Sequence, residues 1–306
     1  MNPYRLRAYG LLLIVAIIWG VAGVVIKFTL GGFDPLVFLT YRFAISAVAS
    51  LIMVLFVGFR LPVDKKIIKL SLFYGFLTST LALGLLFLGF DETTAIDATL
   101  ISATGPIFIS AGGLIFLKER VTIREKVGMG IAFFGTAITI LEPVLRNTNG
   151  FAGLGGNLLV FASILVGVAT AIFAKILLRN DLEPAMATNI SFWVGFLTLT
   201  PIAVIVHSPE GIIEQIQTAP LIFHFGVLFM ALLSGNLAYT LWHKAQKTIE
   251  VGEASVFGYL YPIFATPLAV VWLKEKITTP FMVGAIIIAI GVVIAEYKKS
   301  RYNKAS

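Results

Sequence analysis

Arg42 is the side chain of this sequence best placed to do chemistry inside an apolar segment. The run 36–58 around it carries no other charge, and a guanidinium at the centre of a bilayer costs about 2.5–3.5 kcal/mol unless it meets a partner or water. Two readings follow. Arg42 contacts a carboxylate or phosphate of a substrate; or, six residues into its run and about 9 Å from its end, it snorkels outward beside Lys27 and Asp34. Acids are placed differently. None falls in the middle third of an apolar run, and Asp97 and Glu253 sit at the starts of runs, where a carboxylate suits a helix N-terminus. Glu119 and Glu275 end runs inside Lys-Glu-Arg and Lys-Glu-Lys and read as interfacial salt-bridge partners. A proton antiporter built on a carboxylate in the first run is therefore not expected.

Aromatic residues are the better clue to a ligand. Trp and Tyr normally gather at membrane interfaces, yet Trp19, Trp193, Tyr259 and Tyr261 fall near the middles of their runs. A buried Tyr or Trp needs a partner for its polar atom, and Thr78, Ser79, Thr80, Ser102, Thr104, Ser234, Asn236 and Tyr239 supply polar groups within the same runs. Such groups either line a cavity or tie helices together. The expected cavity set is Trp19, Ser79, Ser102, Asn236, Tyr239 and Tyr259, with Arg42 as its cation. Pro106, Pro262 and Pro267 each remove an intrahelical hydrogen bond and kink the helix that carries them.

Several chemistries are excluded or disfavoured. The chain has no cysteine, so disulfides and thiolate catalysis are out, and its 3 histidines are scattered, so neither a metal site nor a cofactor is expected. No histidine or carboxylate clusters with a nucleophile at mid-run, which argues against a membrane-embedded enzyme. The net charge of +7 comes from short basic clusters between apolar runs rather than a continuous stripe, so nucleic acid is not an expected partner. The expected partners are a small-molecule substrate and membrane lipid.

The elements that must position these residues follow from composition. Hydrophobic residues make up 58% of the 306 and charged ones 13%, against about 25% charged in a soluble domain. Apolar runs of about 20 residues recur at 8–30, 36–58, 67–90, 96–117, 124–142, 155–178, 185–206, 220–243, 253–273 and 279–297. They are twice the length of barrel strands and apolar on most faces, which predicts an all-α integral membrane protein of ten transmembrane helices. The first run is too long for a cleaved signal segment and is read as a retained span. With both termini in the cytoplasm, 18 of the 23 Lys and Arg fall on the cytoplasmic side, as the positive-inside rule requires of a multi-pass protein of the cell membrane.

The chain also repeats itself. Ala98, Pro106, Ile107, Phe108, Leu117, Lys118, Glu119, Thr122, Val127, Gly128, Ile131 and Gly135 recur 156 residues later as Ala254, Pro262, Ile263, Phe264, Leu273, Lys274, Glu275, Thr278, Val283, Gly284, Ile287 and Gly291. Pro35 matches Pro184 at an offset of 149. Five runs per half is an odd number, so the halves 8–142 and 155–297 are expected to cross the membrane in opposite senses. Inverted repeats of this kind surround a mid-membrane site in secondary transporters. The glycine pairs, seven residues apart, predict close packing of the fifth and tenth helices.

With Trp19-Gly20 in the first run, Arg42 in the second, and a proline leading to Leu-Lys-Glu in the fourth and ninth, residues 8–297 resemble the EamA-type members of the drug/metabolite transporter superfamily. The second half departs from the pattern, with Val166-Gly167 opposite Trp19-Gly20 and Ser191 opposite Arg42. The resemblance implies two inverted five-helix repeats around a central cavity and alternating-access transport of small metabolites, often outward. Amino acids are the first substrate candidates. An organic-anion exchanger for sugar phosphates or nucleotide sugars is the alternative, and a membrane-embedded enzyme or scramblase the non-transporter one.

Overall fold

The computed structural model describes residues 3–57, 64–116, 123–142, 150–249 and 251–296. The cluster Lys118, Glu119 and Arg120, the loop residue Arg146 and the basic residues after 297 lie outside the described residues, as does the side chain of Glu253.

Among the described residues, ten helical segments follow one another where the apolar runs predict them. They are α1 (Pro3–Thr29), α2 (Pro35–Val57), α3 (Lys65–Glu92), α4 (Ala95–Ser102 and Gly105–Phe116), α5 (Ile123–Ile140), α6 (Gly150–Arg179), α7 (Pro184–Thr218), α8 (Leu221–Gln246), α9 (Val251–Ser255 continuing to Leu273) and α10 (Thr279–Glu296). Eight are long and apolar enough to cross a membrane, and parts of α5 and α10 form shorter apolar helices. Exposed Leu, Ile, Val and Phe side chains such as Leu55, Phe134, Ile205 and Val293 cover the outside. That surface is stable only against lipid.

The helices are not uniformly wound, and the irregularities recur in both halves. Phe76–Ala82 in α3 and Phe229–Leu237 in α8 are π-wound. Residues 78–80 and 234–236, related by the 156-residue offset, lie within them. α4 breaks at Ala103–Thr104 just before Pro106, and α9 tightens to a 3-10 turn over Val256–Leu260 just before Pro262. Proline explains the second pair, because it has no N–H to give the carbonyl four residues back. In α4 that carbonyl belongs to Ser102.

Packing is exchanged between the halves. α1 lies against α8 and α9, while α6 lies against α3 and α4. Each half also caps its third helix with a lysine from its first. Lys27 Nζ donates to the carbonyls of Phe90 (2.9 Å) and Asp91 (2.8 Å), and Lys175 Nζ to those of Gln246 (2.9 Å) and Ile249 (2.7 Å). An ammonium at a helix C-terminus meets both the free carbonyls and the negative end of the dipole. Lys175 therefore belongs to the buried framework rather than to a loop, being 6% exposed.

α7 runs past its expected end at 206. The chain turns at Ser208, whose φ of 56° is left-handed, and Pro209 opens a further helical stretch to Thr218. Ser208 Oγ accepts from the Gly211 N–H at 3.2 Å, a side-chain cap with proline in the first turn. This stretch lies over the α1–α2 connection, where Gln215 Oε1 accepts from the Asp34 N–H at 3.0 Å and His207 Nε2 lies 2.9 Å from Asp34 Oδ1.

Candidate functional site

Two chambers of about 230 and 220 Å³ meet at the centre of the bundle. They share Trp19, Leu83, Leu86, Ser102, Tyr239 and Tyr261, so their common wall is drawn from α1, α3, α4, α8 and α9. One chamber extends past Arg42, Phe87 and Phe90 toward the C-terminal end of α3; the other extends past Tyr74, Trp242 and His243 toward its N-terminal end. Among the described residues, none from α5 or α10 lines either chamber.

Glycine lets α1 into this position. A Cβ at Gly20 would lie 2.8 Å from Phe264 Cβ and 3.1 Å from the Tyr261 carbonyl oxygen, and one at Gly23 would lie 2.8 Å from Thr99 Oγ1. Side chains at either site would push α1 away from α9 or α4. Trp19 is then held at the junction, its indole N–H donating to the Ser234 carbonyl at 3.0 Å. Around it stand Tyr239, Trp242 and Tyr261, with ring centroids 5.0, 5.3 and 6.3 Å away. Tyr239 and Tyr261 meet Trp19 edge-to-face, contacts that add about 0.5–1.5 kcal/mol each beyond burial, so the cage has fixed walls.

Arg42 does not snorkel. It is 1% exposed, borders the first chamber, and lies over the rings of Phe43, Phe87 and Phe192 at 5.3, 5.5 and 5.8 Å. Cation–π attraction offsets part of the cost of burial, but Nε and Nη1 have no hydrogen-bond acceptor among the described residues. Arg42 is the one Lys or Arg, and no Asp or Glu appears, among the described residues lining either chamber.

Of the residues expected from sequence, Trp19, Arg42, Ser102 and Tyr239 border the cavity, and three do not. Ser79 is fully buried against α7, where a Cβ on Gly195 would stand 2.6 Å from its own Cβ. The π-winding of α3 turns Thr78 to the second chamber in its place. Asn236 faces α2 instead, its amide donating to the Ser46 carbonyl (3.3 Å) and Ser50 Oγ (3.1 Å), while Ser50 donates to Asn189 Oδ1 (2.8 Å). This is the helix-tying role of such residues. Tyr259 sits in the 3-10 turn of α9, whose tighter winding presents Tyr261 to the cavity. Trp193, the remaining mid-run aromatic, is 37% exposed on the outer surface.

Sequence reasoning missed His243, treated as one of three scattered histidines. It is 1% exposed and borders the second chamber. Its Nε2 pairs with the Tyr74 hydroxyl at 2.8 Å and its Nδ1 with Thr188 Oγ1 at 3.0 Å, joining α3, α7 and α8. The usable signal was an ionisable residue inside an apolar run, which requires a partner.

Glu275 also has another role than the surface salt bridge expected of it. Its two carboxylate oxygens accept from the Ala95 and Ile96 N–H groups at 2.8 and 2.9 Å, so the second half caps the N-terminus of α4 in the first. Nearby, Thr94 Oγ1 accepts from the Asp97 N–H at 3.0 Å, and Thr278 donates to Glu142. These residues border a separate cavity of about 440 Å³.

Comparison with known proteins agrees with this architecture. The model of the EamA-like transporter family matches twice, at residues 6–141 and 154–297. The chain is 24% identical to the "Uncharacterized transporter YyaM" of Bacillus subtilis, over 95% of this chain and 94% of that one. It is 23% identical to a protein of Escherichia coli named "Probable amino-acid metabolite efflux pump", over 93% of each. A solved crystal structure shares the fold at a TM-score of 0.64 and 16% identity, over 95% of this chain and 98% of that one. A ten-helix bundle, a central aromatic cavity and a family match over both halves lead to one assignment: the chain belongs to the EamA-like transporter family.

Proposed function

We propose that this transporter carries small organic metabolites, amino acids foremost, out of the cell by alternating access, and that the Trp19 cavity is its binding site. One observation carries the reading: an aromatic cavity of two joined chambers lies where both halves meet, walled by α1, α2, α3 and α4 of the first half and α6, α8 and α9 of the second. Mostly apolar walls with a few placed polar groups suit a small amphipathic ligand. Relatives from Escherichia coli and Salmonella typhimurium named as probable amino-acid metabolite efflux pumps support the substrate class and the direction. Sugar phosphates and nucleotide sugars fit less well, because a polyanion calls for several cations and the lining supplies Arg42.

Trp19→Ala removes the ring on which the cage is built. In proteoliposomes, against a panel of radiolabelled amino acids, it should lower transport at least about tenfold, as expected when more than 1.4 kcal/mol of binding is lost, with the protein still monodisperse. Undiminished transport would place the site elsewhere.

The orientation has its own test in this cysteine-free chain. With both termini cytoplasmic, a cysteine at the exposed Lys276 should react with an impermeant thiol reagent added to intact cells, and one at the exposed Lys65 should not. The reverse pattern would invert the topology. The equivalent probe at Asn147 lies outside the described residues.

A further inference from the structure

We infer that the ligand of the Trp19 cavity is an organic monocarboxylate with an apolar or aromatic body, held by its carboxylate and its body with no contribution from an amino group. The inference rests on reading that cavity as the binding site, and it narrows the substrate class.

Arg42 makes the case for an anion. Its guanidinium is buried, borders the first chamber, and keeps Nε and Nη1 without an acceptor among the described residues. Rings at 5.3–5.8 Å attract the charge but accept none of its N–H hydrogen bonds. A carboxylate placed where Arg42 borders the chamber cancels that charge. One cation matches one negative charge.

The case against an ammonium comes from what surrounds Arg42. The acids near the end of the bundle where Glu275 caps α4, Asp91, Glu92, Asp97, Glu142 and Glu275, border the separate 440 Å³ cavity instead of the two chambers, and Lys27 and Lys276 share that cavity with them. Two of the polar side chains inside the chambers are already engaged. The Trp19 N–H is bonded to Ser234, and both ring nitrogens of His243 are paired with Tyr74 and Thr188. The faces of Trp19, Tyr239 and Tyr261 attract an ammonium only weakly, and no acid lines either chamber among the described residues to give it a counter-charge. These faces instead take the apolar body, which fixes the orientation: carboxylate at Arg42, body at the cage.

A matched trio tests this on the purified protein, by calorimetric titration or thermal stabilisation, which rises with ligand occupancy. 3-Phenylpropanoate, phenylalanine and phenethylamine share one body and differ in charge. 3-Phenylpropanoate should bind at least as tightly as phenylalanine and at least tenfold more tightly than phenethylamine. Arg42→Gln should lose tenfold or more toward 3-phenylpropanoate and toward phenylalanine, which both carry the carboxylate, and little toward phenethylamine. The order of the trio on the unaltered protein needs no variant, so the test survives if Arg42→Gln fails to fold. Phenylalanine or phenethylamine binding tenfold better than 3-phenylpropanoate, while Trp19→Ala abolishes that binding, would overturn the monocarboxylate inference and leave the cavity reading standing. 3-Phenylpropanoate binding undiminished in Trp19→Ala would overturn the cavity reading, and binding of none of the three would overturn both.

Discussion

Gly291→Leu should leave little folded protein, while Gly130→Leu should leave yield and thermal midpoint within a few degrees of the parent chain. A Cβ on Gly291 of α10 would stand 2.5 Å from the Ala132 backbone nitrogen, 2.7 Å from the Gly128 carbonyl oxygen and 2.8 Å from Ala132 Cβ of α5. The reciprocal contact is as close, with a Cβ on Gly135 reaching the Ile288 nitrogen at 2.8 Å and the Gly284 oxygen at 2.9 Å. Overpacking usually costs about 1–3 kcal/mol because a side chain swings aside. Here the obstacles are backbone atoms of a helix that moves only as a whole, so the cost should exceed that range. A Cβ on Gly130, also in α5, would meet no atom within 4 Å, which controls for the helix propensity and the added apolar bulk. Size-exclusion yield and thermal unfolding in detergent read both variants. Equal midpoints for the two would mean that the α5–α10 seam does not hold the bundle together.

That seam was legible in the sequence because its signal is local: four glycines, two per helix, seven residues apart. The spans were legible for a similar reason, since apolar run length follows from bilayer thickness, and so were the breaks before Pro106 and Pro262. What was lost was phase. Wider turns through Phe76–Ala82 and a tighter one through Val256–Leu260 rotate the helix face by a residue or more, which exchanges Ser79 for Thr78 and Tyr259 for Tyr261 at the cavity. No periodicity argument built on 3.6 residues per turn carries across such a segment. The other losses share a cause. Lys27, Lys175 and Glu275 all bind backbone carbonyls or amides of distant helices, and backbone groups have no residue type for a sequence to display. Arg42 stood between the two cases. Its type announced a cost, while its direction depended on where Phe87 and Phe192, from other helices, came to lie.

Glu275→Ala should open the end of the bundle away from the chain termini. The loop that carries Glu275 follows Lys274, whose φ of 59° turns the chain sharply after α9 and aims the carboxylate at the start of α4. Both oxygens are used there, on the Ala95 and Ile96 N–H groups, two of the donors that a helix N-terminus leaves without an internal partner. Because α9 belongs to the second half and α4 to the first, this contact ties the halves together at that end. A hydrogen bond to a charged group contributes about 1.5–3 kcal/mol, and the helix dipole adds to it. Removing the carboxylate should therefore shift the closed-to-open balance roughly 10- to 100-fold, at 1.4 kcal/mol per tenfold. A cysteine at Ser102, which borders both chambers, reports the shift as faster reaction with an impermeant thiol reagent supplied from that side. Glu275→Gln keeps one oxygen but points an N–H₂ group at a donor, so it should fall nearer to Ala than to the parent chain. An unchanged labelling rate in Glu275→Ala would mean that the contact caps α4 without holding the halves closed.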